Sequence, residues 1–108
     1  MLDRDALLHD IRSLMHSPAE GEPDSFRERI ERTLTDGYAH ALALEGERLQ
    51  LERELTAVAD RVGRGETDGL VTRLAELSTR LRSTDTNLAE LRTLLASLRG
   101  RAAEVRAA

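Results

Sequence analysis

The chain contains no cysteine, no tryptophan and no lysine, and only one tyrosine, one phenylalanine and two prolines among its 108 residues. Without cysteine, neither a disulfide nor a thiolate metal site can form. With so few aromatic rings, burial must come from leucine, alanine, valine and isoleucine, which suits narrow seams between helices better than a thick globular core. The length accommodates one domain.

Arginine provides all 16 basic side chains, against 20 acidic ones, which gives a formal net charge of −4. Nucleic-acid binding needs an excess of cations along one face, so an acidic balance argues against a nucleic-acid carrier. The first residues lack the basic and apolar regions of a secretory signal, and no run approaches the ~20 apolar residues that a membrane span needs. We therefore expect a cytoplasmic protein without a membrane partner.

Helix-breaking residues divide the single expected domain, 1–108, into three helical segments. Pro18 pushes Ser17 out of the helical region and ends the first segment. Ser25 and Glu28 have the spacing of a capping box, which opens the second segment, and Gly63 is placed to end it as a left-handed C-cap. The expected elements are a short helix over 1–17, a linker over 18–24, a long helix over 25–62, a turn over 63–67 and a long helix over 68–106 with Thr67 or Asp68 as its N-cap.

Leucine spacing predicts that the two long helices form a coiled coil. Apolar residues of the last helix alternate in steps of four and three, as in the seam of a heptad repeat, and the preceding helix shows the same alternation when read backwards from the turn. We call these positions the seam. They are Leu70, Leu74, Leu77, Leu81, Thr84, Leu88, Leu91, Leu95, Leu98, Ala102 and Val105 in one helix, and Val62, Val58, Leu55, Leu51, Arg48, Leu44, Ala41, Gly37, Leu34 and Ile30 in the other.

The two halves of the seam mirror each other about the turn, because the residue numbers of facing positions always add up to 132. Arg48 falls opposite Thr84, so these two polar positions share one layer, and the small Gly37 faces the large Leu95. The pattern predicts an all-α fold, a long antiparallel coiled-coil helical hairpin.

Charges beside the seam are mixed at this register. Glu54 is expected beside Arg80, whereas Arg61 meets Arg73 of the same sign. Exposed ion pairs contribute only ~0–1 kcal/mol each, so the seam and the turn must set the register.

The short first helix carries one apolar face, formed by Leu7, Leu8, Ile11, Leu14 and Met15. A helix of this length is marginal in isolation and must dock on something. We expect it to pack near the open end of the hairpin, beside Phe26, Ile30 and Leu34, as a local three-helix bundle.

A second apolar stripe lies on the first long helix, roughly 100° from the seam. It consists of Tyr38, Leu42 and Leu49, and we call it the outer stripe. Contiguous surface apolar residues often mark a partner site, although scattered surface leucines are also common. The functional interpretation is an interface with a second copy or another protein.

Arg48 has two possible roles in the seam. A buried polar residue can fix the register of a coiled coil at a cost in stability. Alternatively, its aliphatic stem covers the seam while the guanidinium reaches Glu45, Glu52 or Asp85.

The sequence shows no signature of catalysis, of a cofactor or of a metal. His9, His16 and His40 lack the i, i+4 spacing of helical zinc ligands. General acid–base catalysis needs buried carboxylates in a cleft, which a thin coiled coil does not provide. We therefore expect a protein that is not an enzyme, with no cofactor.

The leading hypothesis is a non-enzymatic scaffold or adaptor that self-associates, as a homodimer or larger, and binds an unidentified protein partner. The alternative is a nucleic-acid-binding helical arm that uses arginines near the open end of the hairpin. Those arginines are Arg27, Arg29, Arg32, Arg99, Arg101 and Arg106, and they are interrupted by Glu28, Glu31 and Glu104.

Overall fold

The structure, a computed structural model, describes residues 4–16 and 23–107, and these form three helices. Helix α1 covers Arg4–His16, α2 covers Pro23–Gly63 and α3 covers Leu70–Ala107. The two long helices pack as an antiparallel pair joined by a turn at 64–69, which confirms the predicted all-α hairpin. None of the helices in these ranges combines the length and the apolar content that a bilayer crossing requires.

The chain divides into two compact units. The first unit combines α1, the part of α2 up to Leu42 and the part of α3 from Ala89 onwards. The second unit combines α2 from Ala43, the turn and α3 up to Leu88.

The predicted seam is the buried face of both long helices. None of its positions is exposed, and Ile30 and Leu98 in the first unit and Leu77 in the second are completely covered. The four–three spacing therefore identified the packing face correctly along the whole of α2 and α3.

Helix α1 completes a three-helix bundle in the first unit, as its apolar face predicted. Leu7, Leu8, Ile11 and Leu14 are each no more than 4% exposed. At the flank of the same helix, Arg4 and Arg12 both bind the carboxylate of Glu90 in α3, with nitrogen–oxygen distances of 3.0 and 2.7 Å. Burying one such aliphatic side chain stabilises by ~1.5–3 kcal/mol, against ~0–1 kcal/mol for an exposed ion pair. The apolar face thus provides most of the docking energy.

Helix α2 begins two residues earlier than the capping box predicted. Its first residue is Pro23, and Ser25 already lies inside the first turn. Proline suits the first helical position because its fixed φ is helical and its missing N–H would be unpaired there. Asp24 follows in the first turn, where the helix dipole favours a carboxylate, and it binds Arg27 at 2.8 Å. Within the predicted linker 18–24, residues 18–22 lie outside the described residues, as do 1–3 and 17 of the first predicted helix.

The turn uses a different glycine from the one predicted. Gly63 is the last helical residue, whereas Gly65 adopts the left-handed conformation with φ of 89°. The N–H of Gly65 donates to the Val62 carbonyl at 3.0 Å, and the N–H of Glu66 donates to the Arg61 carbonyl at 3.1 Å. These two bonds form a Schellman motif with Gly65 as its left-handed residue.

The start of α3 also differs from the prediction. Gly69, not Thr67 or Asp68, directly precedes the helix, with φ of 69°. Its carbonyl accepts the N–H of Arg73 at 3.1 Å, which is the bond that an N-cap carbonyl receives. The observed turn therefore covers 64–69 in place of the predicted 63–67.

Beside the seam of the second unit, the expected pair of Glu54 with Arg80 is wrong. Glu54 instead accepts a hydrogen bond from Arg73 at 3.1 Å, two helical turns closer to the bend. Arg73 also lies 3.8 Å from Glu76 in its own helix. Because both side chains are long and partly exposed, their pairing does not follow the layer spacing of the seam.

Candidate interaction surface

Tyr38, the first member of the outer stripe, is held by an arginine of the opposite helix. The guanidinium of Arg99 lies 5.4 Å from the centre of the Tyr38 ring, and its Nε donates to the phenol oxygen at 2.8 Å. The Nη2 atom of Arg99 donates to the same oxygen. Tyr38 remains 41% exposed. The Tyr38–Arg99 pair is therefore a solvent-accessible part of the first unit that presents both an aromatic ring and a charged group. An arginine stacked on an aromatic ring is an ordinary stabilising contact.

Leu42 is the most exposed large apolar side chain in the described part of the molecule, at 69%. It follows Tyr38 by four residues on α2, so the two lie on one face of the helix. The position directly before it, Ala41, is a seam position and is buried. Leu42 therefore points away from the hairpin seam into solvent.

Leu49 belongs to the second unit, and it is 47% exposed. It lies seven residues after Leu42 in the sequence of α2. All three members of the outer stripe are thus solvent-facing, while their neighbours in the seam are covered.

Val71 is an exposed apolar residue that the sequence analysis did not identify. It lies in the first turn of α3 and is 58% exposed. Like the members of the outer stripe, it directly follows a seam residue, in this case Leu70. Scanning the positions next to the seam on both helices would have found it.

The two polar seam residues, Thr84 and Arg48, each contact acidic side chains in the second unit. Thr84 is 5% exposed, and its hydroxyl donates to Glu47 at 3.4 Å. The guanidinium of Arg48 turns outwards, with Nε 3.8 Å from Glu52 and Nη1 3.8 Å from Asp85. The Arg48 side chain is 39% exposed. This geometry is the outward-reaching arrangement, in which the stem covers the seam and the charge meets solvent and carboxylates.

Several arginines near the open end of the hairpin are engaged by their own chain. Arg29 and Arg101 lie 6.0 and 5.7 Å from the centre of the Phe26 ring, which is 1% exposed. Arg27 binds Asp24 at 2.8 Å, and Arg101 lies 3.4 Å from Glu104. Arg29 and Arg101 therefore pack on the Phe26 ring, and Arg27 and Arg101 pair with carboxylates of their own helices.

A groove of about 320 Å³ lies between α1 and α2 in the first unit. Its walls carry Asp10 and Asp36 together with Arg29 and Arg32, so both signs of charge line it. Sequence reasoning did not identify this groove, because it depends on where α1 docks. Balanced charges in an open groove give no preference for an anionic or a cationic ligand.

The three histidines are dispersed. His9 and His16 are exposed on α1, whereas His40 is half-buried on α2 and its Nε2 atom has no hydrogen-bond partner among the described residues. Among residues 4–16 and 23–107, no group of three or more histidine or acidic side chains is placed to hold a metal ion.

Comparison with protein-family models, with curated proteins and with solved structures gives no match for this chain. What the surface does is therefore inferred from its own side chains.

Proposed function

We propose that this chain is a non-enzymatic coiled-coil scaffold or adaptor that works through protein–protein contacts and self-associates through the outer stripe. The observation that carries the proposal is the exposure of Leu42 and Leu49, at 69% and 47%, on a helix whose seam leucines are covered. Large apolar side chains grouped on one face are typical of an interface.

The size of the stripe sets the strength of association that we expect. Full burial of a leucine gains ~1.5–3 kcal/mol, and these side chains are already partly covered, so four leucines from two copies gain about 4–8 kcal/mol. Association itself costs at least about 4 kcal/mol. The surplus is at most about 4 kcal/mol, so even with the contact area that Tyr38 adds we expect a weak dimer, with a dissociation constant in the millimolar to high-micromolar range.

The nucleic-acid-binding alternative is less well supported. Arg27, Arg29 and Arg101 contact Asp24, Phe26 and Glu104 of their own chain. A phosphate backbone would have to compete with these contacts, and the chain as a whole is acidic.

Sedimentation equilibrium over a protein concentration from about 10 μM to about 2 mM, which brackets the expected dissociation constant, tests the proposal. The wild type should shift from monomer to a larger species, and Leu42→Glu/Leu49→Glu should remain monomeric, because two charges per copy would have to be desolvated in the contact. If the wild type remains monomeric throughout, self-association is wrong.

Val71→Glu is the matched control. It places the same charge on an exposed apolar position, 58% exposed, but on α3. It should associate like the wild type. Binding of the wild type to a mixed-sequence DNA or RNA duplex at low salt, equal to or stronger than its self-association, would favour the alternative function.

A further inference from the structure

We draw no further inference here: the strongest candidate, the exposed row of small residues at four–three spacing on α3 in the first unit (Ala89, Thr93, Ala96, Gly100 and Ala103), is a bare helix face, and nothing in the structure shows what covers it.

Discussion

Leu95 of α3 packs directly over Gly37 of α2, so that a Cβ atom added to Gly37 would overlap Leu95 Cδ2 and lie 3.3 Å from Leu95 Cγ. The two residues belong to one layer of the seam, and Leu95 is 2% exposed. A large side chain on one helix thus takes the volume that the other helix leaves empty. This contact fixes the distance between α2 and α3 in the first unit.

Gly37→Ala should destabilise the fold. Alanine is the better helix former by ~1 kcal/mol, but overpacking against a buried leucine loses ~1–3 kcal/mol. The net expectation is a loss of about 1 kcal/mol in the free energy of unfolding, measured by urea denaturation. Gly100→Ala, where the added methyl group meets nothing within 4 Å, should be neutral or stabilising. A gain in stability for Gly37→Ala would contradict the packing of Leu95.

Substitutions at Gly63 and Gly65 in the turn region should change the free energy of unfolding in opposite directions. Gly65→Ala should lower the free energy of unfolding by ~1–2 kcal/mol, because an L-residue is disfavoured in the left-handed region that Gly65 occupies at φ of 89°. Gly63→Ala should raise it by up to ~1 kcal/mol, because Gly63 is helical and its surroundings are open. Urea denaturation of the two variants checks the order. The reverse order would place the left-handed residue at Gly63.

Docking of α1 should depend on its apolar face more than on its ion pairs. Ile11 is fully buried, so Ile11→Ala should lower the free energy of unfolding by ~2–4 kcal/mol. Glu90→Gln removes the carboxylate that binds Arg4 and Arg12, but the Glu90 side chain is 37% exposed, so the loss should be ~1 kcal/mol or less. Thermal and urea unfolding measure both.

Deleting residues 1–17 tests the docking of α1 by removing the whole helix. The melting temperature should fall, because the deletion uncovers the surface on which Leu7, Leu8 and Leu14 pack. An unchanged melting temperature is incompatible with a three-helix bundle in the first unit.

Arg48→Leu should stabilise the hairpin slightly. A leucine completes the apolar seam of the second unit, and the ion pairs that it removes are partly exposed, at 3.8 Å from Glu52 and Asp85. We expect a gain of about 1 kcal/mol in urea denaturation. Arg80→Leu, on an exposed face of α3, should change stability by less than about 0.5 kcal/mol.

The same variant tests whether Arg48 fixes the register. If it does, Arg48→Leu should sediment as a mixture of species at concentrations where the wild type gives one. A single species indistinguishable from the wild type would leave Arg48 with only the outward-reaching role that its contacts show.

The packing face could be predicted from sequence because a heptad repeat is a property of many residues at once. Positions such as Leu77, Leu91 and Leu98 repeat at intervals set by helix geometry, so the face remains recognisable although Arg48 and Thr84 interrupt it. The docking of α1 followed in the same way, because a short amphipathic helix must bury its apolar face.

The details of the turn could not be predicted, because Gly63 and Gly65 are equally able to adopt a left-handed conformation. The choice depends on two backbone hydrogen bonds to Arg61 and Val62 that no residue type specifies. The first residue of a helix is similarly hard to predict, because both Pro23 and Ser25 are residue types that are common at helix N-termini.

Side-chain partners on the surface were the least predictable part of the candidate site. Arg99 reaches Tyr38, and two arginines of α1 share Glu90, although nothing in the seam spacing selects those partners. Long arginine side chains span more than one helical turn, and exposed pairs differ little in energy, so sequence alone does not decide among them.

The register of the antiparallel hairpin is the central claim, and an intramolecular disulfide tests it most directly. Val58 and Leu74 are half-buried in the second unit, and the predicted register places them opposite each other. Val58→Cys/Leu74→Cys should therefore close a disulfide within one chain under mild oxidation. Val58→Cys/Leu81→Cys moves the second cysteine by one heptad, about 10 Å along α3, and should not close. Closure of the second pair in preference to the first would contradict the register.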